Sequence, residues 1–214
     1  VRDEVRAEDL TGREPYKLLV GSVVPRAIAW VATRSPSGVA NIAPYSFFTV
    51  ASATPPTLCF SIGPSPREGE PVKDTLANIR ASGEMTVNIA RADLLEAVNT
   101  TASVLPGHVD EFEVAGLTPE PATLVSAPRI AEAPISMECR LDRVVEVGSN
   151  ALVLARVLLW RFEDGLRDDT YVDMAGLRPL GRLAGPRFAT ELNVVEVSPP
   201  HPDDLLARDG DERG

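Results

Sequence analysis

Short apolar stretches at residues 26–33, 39–42, 45–51 and 58–62, each bounded by Gly, Pro or Ser, predict the strands of a β-meander or barrel. Between the first two, Ser35-Pro36-Ser37-Gly38 carries the chemistry of a tight hairpin turn, with Pro and Ser favouring the bend and Gly38 able to take positive φ. Pro55-Pro56 ends the third stretch. At residues 72–82 the period changes. Val72, Leu76 and Ile79 follow helical spacing, Pro71 suits a first turn, and Gly83 suits a left-handed C-terminal position, so a helix of about three turns is predicted. Alternation returns at 84–89, with Met85, Val87 and Ile89 on one side, followed by a second predicted helix at 94–102.

Residues 106–128 form a long connection with little strand signal and one short predicted helix at 109–115, before Gly116; connections of this length usually carry function or an interface. Two long strands follow. Ile135, Met137, Cys139 and Leu141 alternate with Ser136, Glu138 and Arg140, whereas residues 151–162 are apolar on both faces. A strand covered on both sides within one small barrel needs something over its outer face, and a second subunit is the simplest cover. The expected organisation is a charged arm at 1–15, one domain at 16–197 and a disordered tail at 198–214.

The formal charge of −10 argues against nonspecific nucleic-acid binding, and no uninterrupted apolar run approaches a membrane span. The N-terminal residues alternate charges without the apolar centre of a signal peptide, which leaves the cytoplasm as the expected location. An anionic ligand must be met by local cations against an acidic background. Lys17 and Lys73 are the only lysines, so Lys73, at the start of a predicted helix, stands out. Cys59 and Cys139 sit apart in strand-like contexts and read as inert core residues, while His108 and His201 lie in separate loops without metal-ligand spacing, so no metal centre is expected.

Pro25-Arg26-Ala27-Ile28-Ala29-Trp30-Val31-Ala32-Thr33, then Gly38, Asn41-Ile42-Ala43-Pro44-Tyr45-Ser46-Phe47-Phe48 and Ser52-Ala53-Thr54-Pro55-Pro56, resemble the flavin reductase-like family of FMN-binding split barrels, which includes flavoredoxin. Lys73-Asp74-Thr75-Leu76-Ala77-Asn78-Ile79 and Asn88 continue the same order, so the resemblance spans about residues 16–188. It implies a mainly β fold with helices, a Greek-key split barrel that is homodimeric, with FMN as cofactor and NAD(P)H as reductant. It also implies a flavin or acceptor as substrate and a monooxygenase or electron-acceptor protein as a further partner.

FMN presents a dianionic phosphate, a polyhydroxyl chain and a flat ring with polar edges. Lys73, the free amides of a helix start and the Thr75 hydroxyl suit the phosphate. Asp74 suits a helix cap, or an acceptor for Lys73 or a ribityl hydroxyl. Residue physics alone also fits an ordinary capped helix with an exposed Lys73; the resemblance assigns the segment to the cofactor. Arg26 suits phosphate or a ring carbonyl and equally a surface ion pair. Asn41, Ala43, Pro44, Tyr45 and Ser46 suit the pyrimidine edge or a structural Asx turn. By analogy with the family, Ser61 and Arg182 complete the candidate set, although Ala184 and Phe188 stand where relatives often carry Gly and Tyr.

Trp30, Phe47 and Phe48 read as core aromatics, no catalytic residue is assigned, and neither a nucleophilic triad nor a Rossmann fingerprint is present. Two other readings stay open: a flavoredoxin-like FMN electron carrier without free-flavin turnover, and a non-redox ligand-binding or scaffold barrel.

Overall fold

The structure, a computed structural model, describes residues 3–201. Residues 202–214 of the expected tail lie outside the described residues, and 190–201 carry no regular structure. Four strands open the sheet: β1 (Ala29–Arg34), β2 (Ala40–Tyr45), β3 (Phe48–Ala53) and β4 (Pro56–Ile62). After helix α1 (Glu14–Ser22) and these strands come α2 (Asp74–Ser82), β5 (Glu84–Ile89), α3 (Leu95–Thr100) and α4 (Glu111–Ala115). A small pairing joins β6 (Pro119–Glu120) to β7 (Arg129–Ile130) ahead of the long hairpin β8 (Ile135–Val147) and β9 (Asn150–Phe162). The chain closes with β10 (Arg167–Asp168), β11 (Tyr171–Val172), α5 (Met174–Leu177), β12 (Gly181–Arg182) and β13 (Phe188–Ala189).

The main sheet is antiparallel in the order β2-β1-β5-β8-β9-β4-β3. Because successive side chains point to opposite faces, β1 serves two cores at once. Ala29 and Val31 pack with Phe60, Met85, Val87 and Val153, whereas Trp30 and Ala32 pack with Ile42, Val98, Phe112 and Ile130. Each fully buried Val, Ile or Phe contributes roughly 1.5–3 kcal/mol of transfer free energy, so the two clusters hold the sheet from both sides. Trp30 is fully buried as expected, and its Nε1 donates to Thr101 Oγ1 at 2.9 Å, anchoring the end of α3. Phe47, expected in the core, is instead exposed, and Phe48 is half-buried against the first cluster.

Several element boundaries differ from expectation for identifiable reasons. The first turn of α2 starts at Asp74 rather than residue 72, because Lys73 holds extended φ, ψ of −68° and 148° and acts as the N-cap. Gly83 takes the left-handed position at φ 70°, as its placement predicts. The second predicted helix divides into a 3-10 turn (Ala92–Leu94) and α3, and the helix expected at 109–115 begins at Glu111, where Asp110 caps it through Phe112 N. The segment expected as a loose arm ends in α1, which starts at Glu14.

The outer face of β9 is only partly covered within one chain. Ala151, Val153, Ala155 and Val157 are buried, but Leu152, Leu154, Leu158 and Leu159 are half-buried and Arg156 and Trp160 are exposed. Helices α2 and α4 pack on β1, β2 and β5. Cys59 likewise is only half-buried, whereas burial pushes the Cys139 thiol up to about 12 and keeps it protonated.

Candidate functional site

The end of β2 and the start of α2 meet in a cavity of about 120 Å³ lined by Asn41, Ala43, Pro44, Tyr45, Lys73, Asp74 and Thr75 among the predicted residues. Its far wall is the segment 101–105 that Trp30 anchors through Thr101, and Arg67 and Glu111 complete it. Arg67 escapes the sequence reading because nothing in the loop before α2 marks its pairing with Asp74, seven residues on, and Glu111 because it lies 70 residues from Asn41.

Lys73 stands at the mouth of α2, its Nζ 5.6 Å from the centre of the Tyr45 ring. Burial alone pulls its ammonium below the ordinary lysine value, and no carboxylate forms an ion pair with it among the described residues. Helix α2 has no side-chain cap at its N-terminus. Its first-turn amides therefore add a partial positive charge beside the ammonium, which is the chemistry that holds a phosphate.

Asp74 does not cap the helix or meet Lys73. Its Oδ2 accepts from Arg67 Nη2 at 2.5 Å, while Glu70 bridges the same nitrogen at 2.8 Å. Arg67 also donates to Leu105 O at 3.2 Å, which ties the cavity's far wall to the first turn of α2. Gly107 lies against this pair: a Cβ there would stand 3.2 Å from Asp74 Oδ1 and 3.3 Å from Arg67 Nη1.

The Asn41 side chain turns inward. Its Nδ2 donates to Glu111 Oε1 at 2.8 Å, and its Oδ1 accepts from Thr75 Oγ1 at 2.8 Å and Thr33 Oγ1 at 3.2 Å. Asn78 Nδ2 donates to Thr33 Oγ1 at 3.0 Å, so a buried chain of bonds runs from α4 through β2 and β1 to α2. Asn41 and Thr75 thus spend their side chains on positioning. Burial raises Glu111 above the ordinary carboxylate range, partly countered by the Asn41 bond, and burial lifts the Tyr45 hydroxyl well above its ordinary value.

Arg26, Ser46 and Arg182 belong to a second cavity of about 390 Å³ beside α1 and β12. Arg26 is used structurally: its Nη1 donates to Val20 O at 2.7 Å and Val23 O at 2.6 Å, its Nη2 to Leu183 O at 3.2 Å, and its Nε to Ser46 Oγ at 3.4 Å. Ser61 stands apart from both cavities, its Oγ accepting from Asn150 Nδ2 at 3.0 Å. The predicted set is therefore divided between two neighbouring cavities, with one member outside them.

The profile described as Flavin reductase like domain matches residues 20–178. The chain belongs to this family. Among flavin reductase-like relatives, an uncharacterized protein of Aquifex aeolicus (strain VF5) is 41% identical over 183 residues, covering 85% of this chain and 92% of its own. Nitrilotriacetate monooxygenase component B from Bacillus cereus is 34% identical with a TM-score of 0.87, covering 92% of this chain and 99% of that one. The 2-nitrobenzoate 2-nitroreductase NbaA of Pseudomonas fluorescens is 29% identical with a TM-score of 0.84, covering 92% and 96%.

Proposed function

We propose that the chain is an FMN-binding flavin oxidoreductase that uses NAD(P)H as reductant, works as a homodimer, and holds the FMN phosphate at the mouth of α2. The observation that carries this reading is the half-buried Lys73 ammonium, without a carboxylate partner among the described residues, beside an uncapped helix start. Bound there, FMN supplies a redox centre that accepts hydride from a nicotinamide and passes electrons onward.

Lys73 and the first-turn amides of α2 hold the phosphate, Asn41 fixes Thr75, and the Arg67–Asp74 pair fixes the facing wall. Ala43, Pro44 and Tyr45 offer backbone groups and a ring edge to the ligand. The enclosed space, about 120 Å³, is below the roughly 300–1,000 Å³ of pockets that surround a cofactor, so one chain encloses only the phosphorylated end. A second subunit supplies the remaining cover, and the half-open outer face of β9, with its exposed Trp160, offers it a surface to pack on.

The likeness to a monooxygenase component supports a partner that consumes reduced flavin. Purified protein is expected to show flavin absorption bands, or to gain them with added FMN, and to sediment as a dimer. A colourless protein that excess FMN neither colours nor stabilises against heat rejects the reading. Oxidation of NAD(P)H in the presence of free FMN separates a reductase from an electron carrier.

A further inference from the structure

The cavity beside α1 carries a charge pattern that the flavin mouth does not. It is lined by Arg13, Lys17, Arg26 and Arg182, together with Tyr16 and Ser46, and no Asp or Glu lines it. None of the four cations forms an ion pair with a carboxylate among the described residues. On a chain of net charge −10, four unpaired cations around one cavity of about 390 Å³ form a concentrated anion field. The flavin mouth, by contrast, has Asp74 and Glu111 to offset Arg67 and Lys73.

Two of the cations, Arg26 and Arg182, are held by the fold. Arg26 is 8% exposed and locked by backbone carbonyls, and burial, with Arg182 adding to it, pulls its guanidinium below the ordinary value. Arg182 lies with its guanidinium carbon 4.4 Å from the Phe188 ring centre, and its Nη1 donates to Arg187 O at 3.2 Å. Arg26 and Arg182 face each other through a backbone bridge, Arg26 N to Arg182 O at 2.9 Å and Arg182 N to Arg26 O at 2.8 Å. Tyr16 adds an exposed ring, 51% accessible, with Arg13 5.6 Å from its centre. A flat ring beside a cation cluster suits a heteroaromatic base that carries a phosphate.

We propose that this cavity binds a phosphate monoester on a nucleoside, and that its ligand is the adenosine 2′-phosphate end of NADPH. The choice of NADPH rests on the flavin oxidoreductase reading; the phosphate-monoester site rests on the cavity itself. The two cavities adjoin at the end of β2, where Tyr45 lines one and Ser46 the other, so a donor anchored by its phosphate reaches toward the flavin mouth. The 5′-phosphate of FMN presents the same chemistry and is the alternative source.

The test titrates adenosine 2′,5′-bisphosphate and adenosine, which carries no phosphate, into the purified full chain by calorimetry, which needs no flavin. The bisphosphate is expected to bind about tenfold more tightly or better, and the gap to close to about twofold in Arg13→Glu/Lys17→Glu. Arg13 and Lys17 are exposed, and Lys17→Ala, which makes no new charge, is expected to narrow the gap in the same direction. The preference for NADPH over NADH in kcat/KM is expected to fall in parallel. Equal binding of the two compounds by the wild type, or an unchanged gap in both variants, overturns the site. Competition between FMN and the bisphosphate for one site assigns the cavity to the flavin phosphate and overturns the NADPH assignment. A protein that binds the bisphosphate selectively but never FMN leaves this site standing and removes the flavin reading alone.

Discussion

Thr75 Oγ1 donates to Asn41 Oδ1 at 2.8 Å, and this one bond fastens the first turn of α2 to the start of β2. Both residues are buried, and the same amide reaches Glu111 on α4. The position of Lys73 relative to the cavity therefore depends on a side chain whose hydrogen bonds go to Thr33, Thr75 and Glu111.

Asn41→Ala leaves Thr33, Thr75 and Glu111 without their shared partner. A loss of about 2–3 kcal/mol is expected, seen as a fall in Tm of roughly 4–12 °C for a chain of this size. FMN affinity is expected to fall as well, because the helix mouth is no longer fixed. A variant with wild-type Tm and wild-type affinity contradicts the positioning role.

Glu111 carries a pH dependence of known sign. Burial raises its folded-state value above that of the unfolded chain. Its contribution is present while the carboxyl is protonated and is lost as pH climbs through the raised folded value. Glu111→Gln keeps an acceptor for Asn41 and has no proton to lose. The variant is expected to match wild type near about pH 4 and to exceed it at neutral pH, the difference opening upward from the ordinary carboxylate range. Thermal melts across that range decide it, and a gain confined to acid pH contradicts the assignment.

Glu138 is fully buried on β8 and accepts from Thr123 N at 2.9 Å, Leu124 N at 2.6 Å and Arg129 Nη1 at 3.1 Å. It holds the end of the long connection onto the sheet. Glu138→Ala leaves two amides and Arg129 Nη1 without their acceptor, while Arg129 keeps Glu120 at 3.3 Å and Pro121 O at 2.8 Å, so a loss of about 2–4 kcal/mol is expected in denaturant unfolding. A loss below about 1 kcal/mol shows that the connection is held elsewhere.

The strands were legible because their alternation and their Gly and Pro punctuation are local. The helix start at α2 was misplaced by two residues because Pro71 suits a first turn, while tertiary contact keeps Lys73 extended. Helix α1 went unanticipated although Thr11 and Glu14 have the spacing of a capping pair: Thr11 N and Oγ1 both donate to Glu14 Oε2, at 2.8 and 3.1 Å. The Lys73 segment was legible from its resemblance and its place before a helix. Arg67 and Glu111 were not: the seven-residue step from Arg67 to Asp74 follows no regular spacing, only the fold brings Glu111 to Asn41 from 70 positions away, and the inward turn of Asn41 depends on partners from three elements. The division of the predicted residues between two cavities follows from β2 ending at Tyr45, which lines one cavity, while Ser46 in the bend beyond it lines the other.

The central claim is that Lys73 and the mouth of α2 grip the phosphate of FMN. Titration of FMN and of riboflavin, which lacks only that phosphate, into wild type and Lys73→Ala tests it directly. Wild type is expected to prefer FMN by about 1.5–3 kcal/mol, and the preference is expected to vanish in Lys73→Ala with Tm unchanged. Equal affinity of wild type for the two flavins, or a preference for FMN that survives the loss of Lys73, contradicts the account.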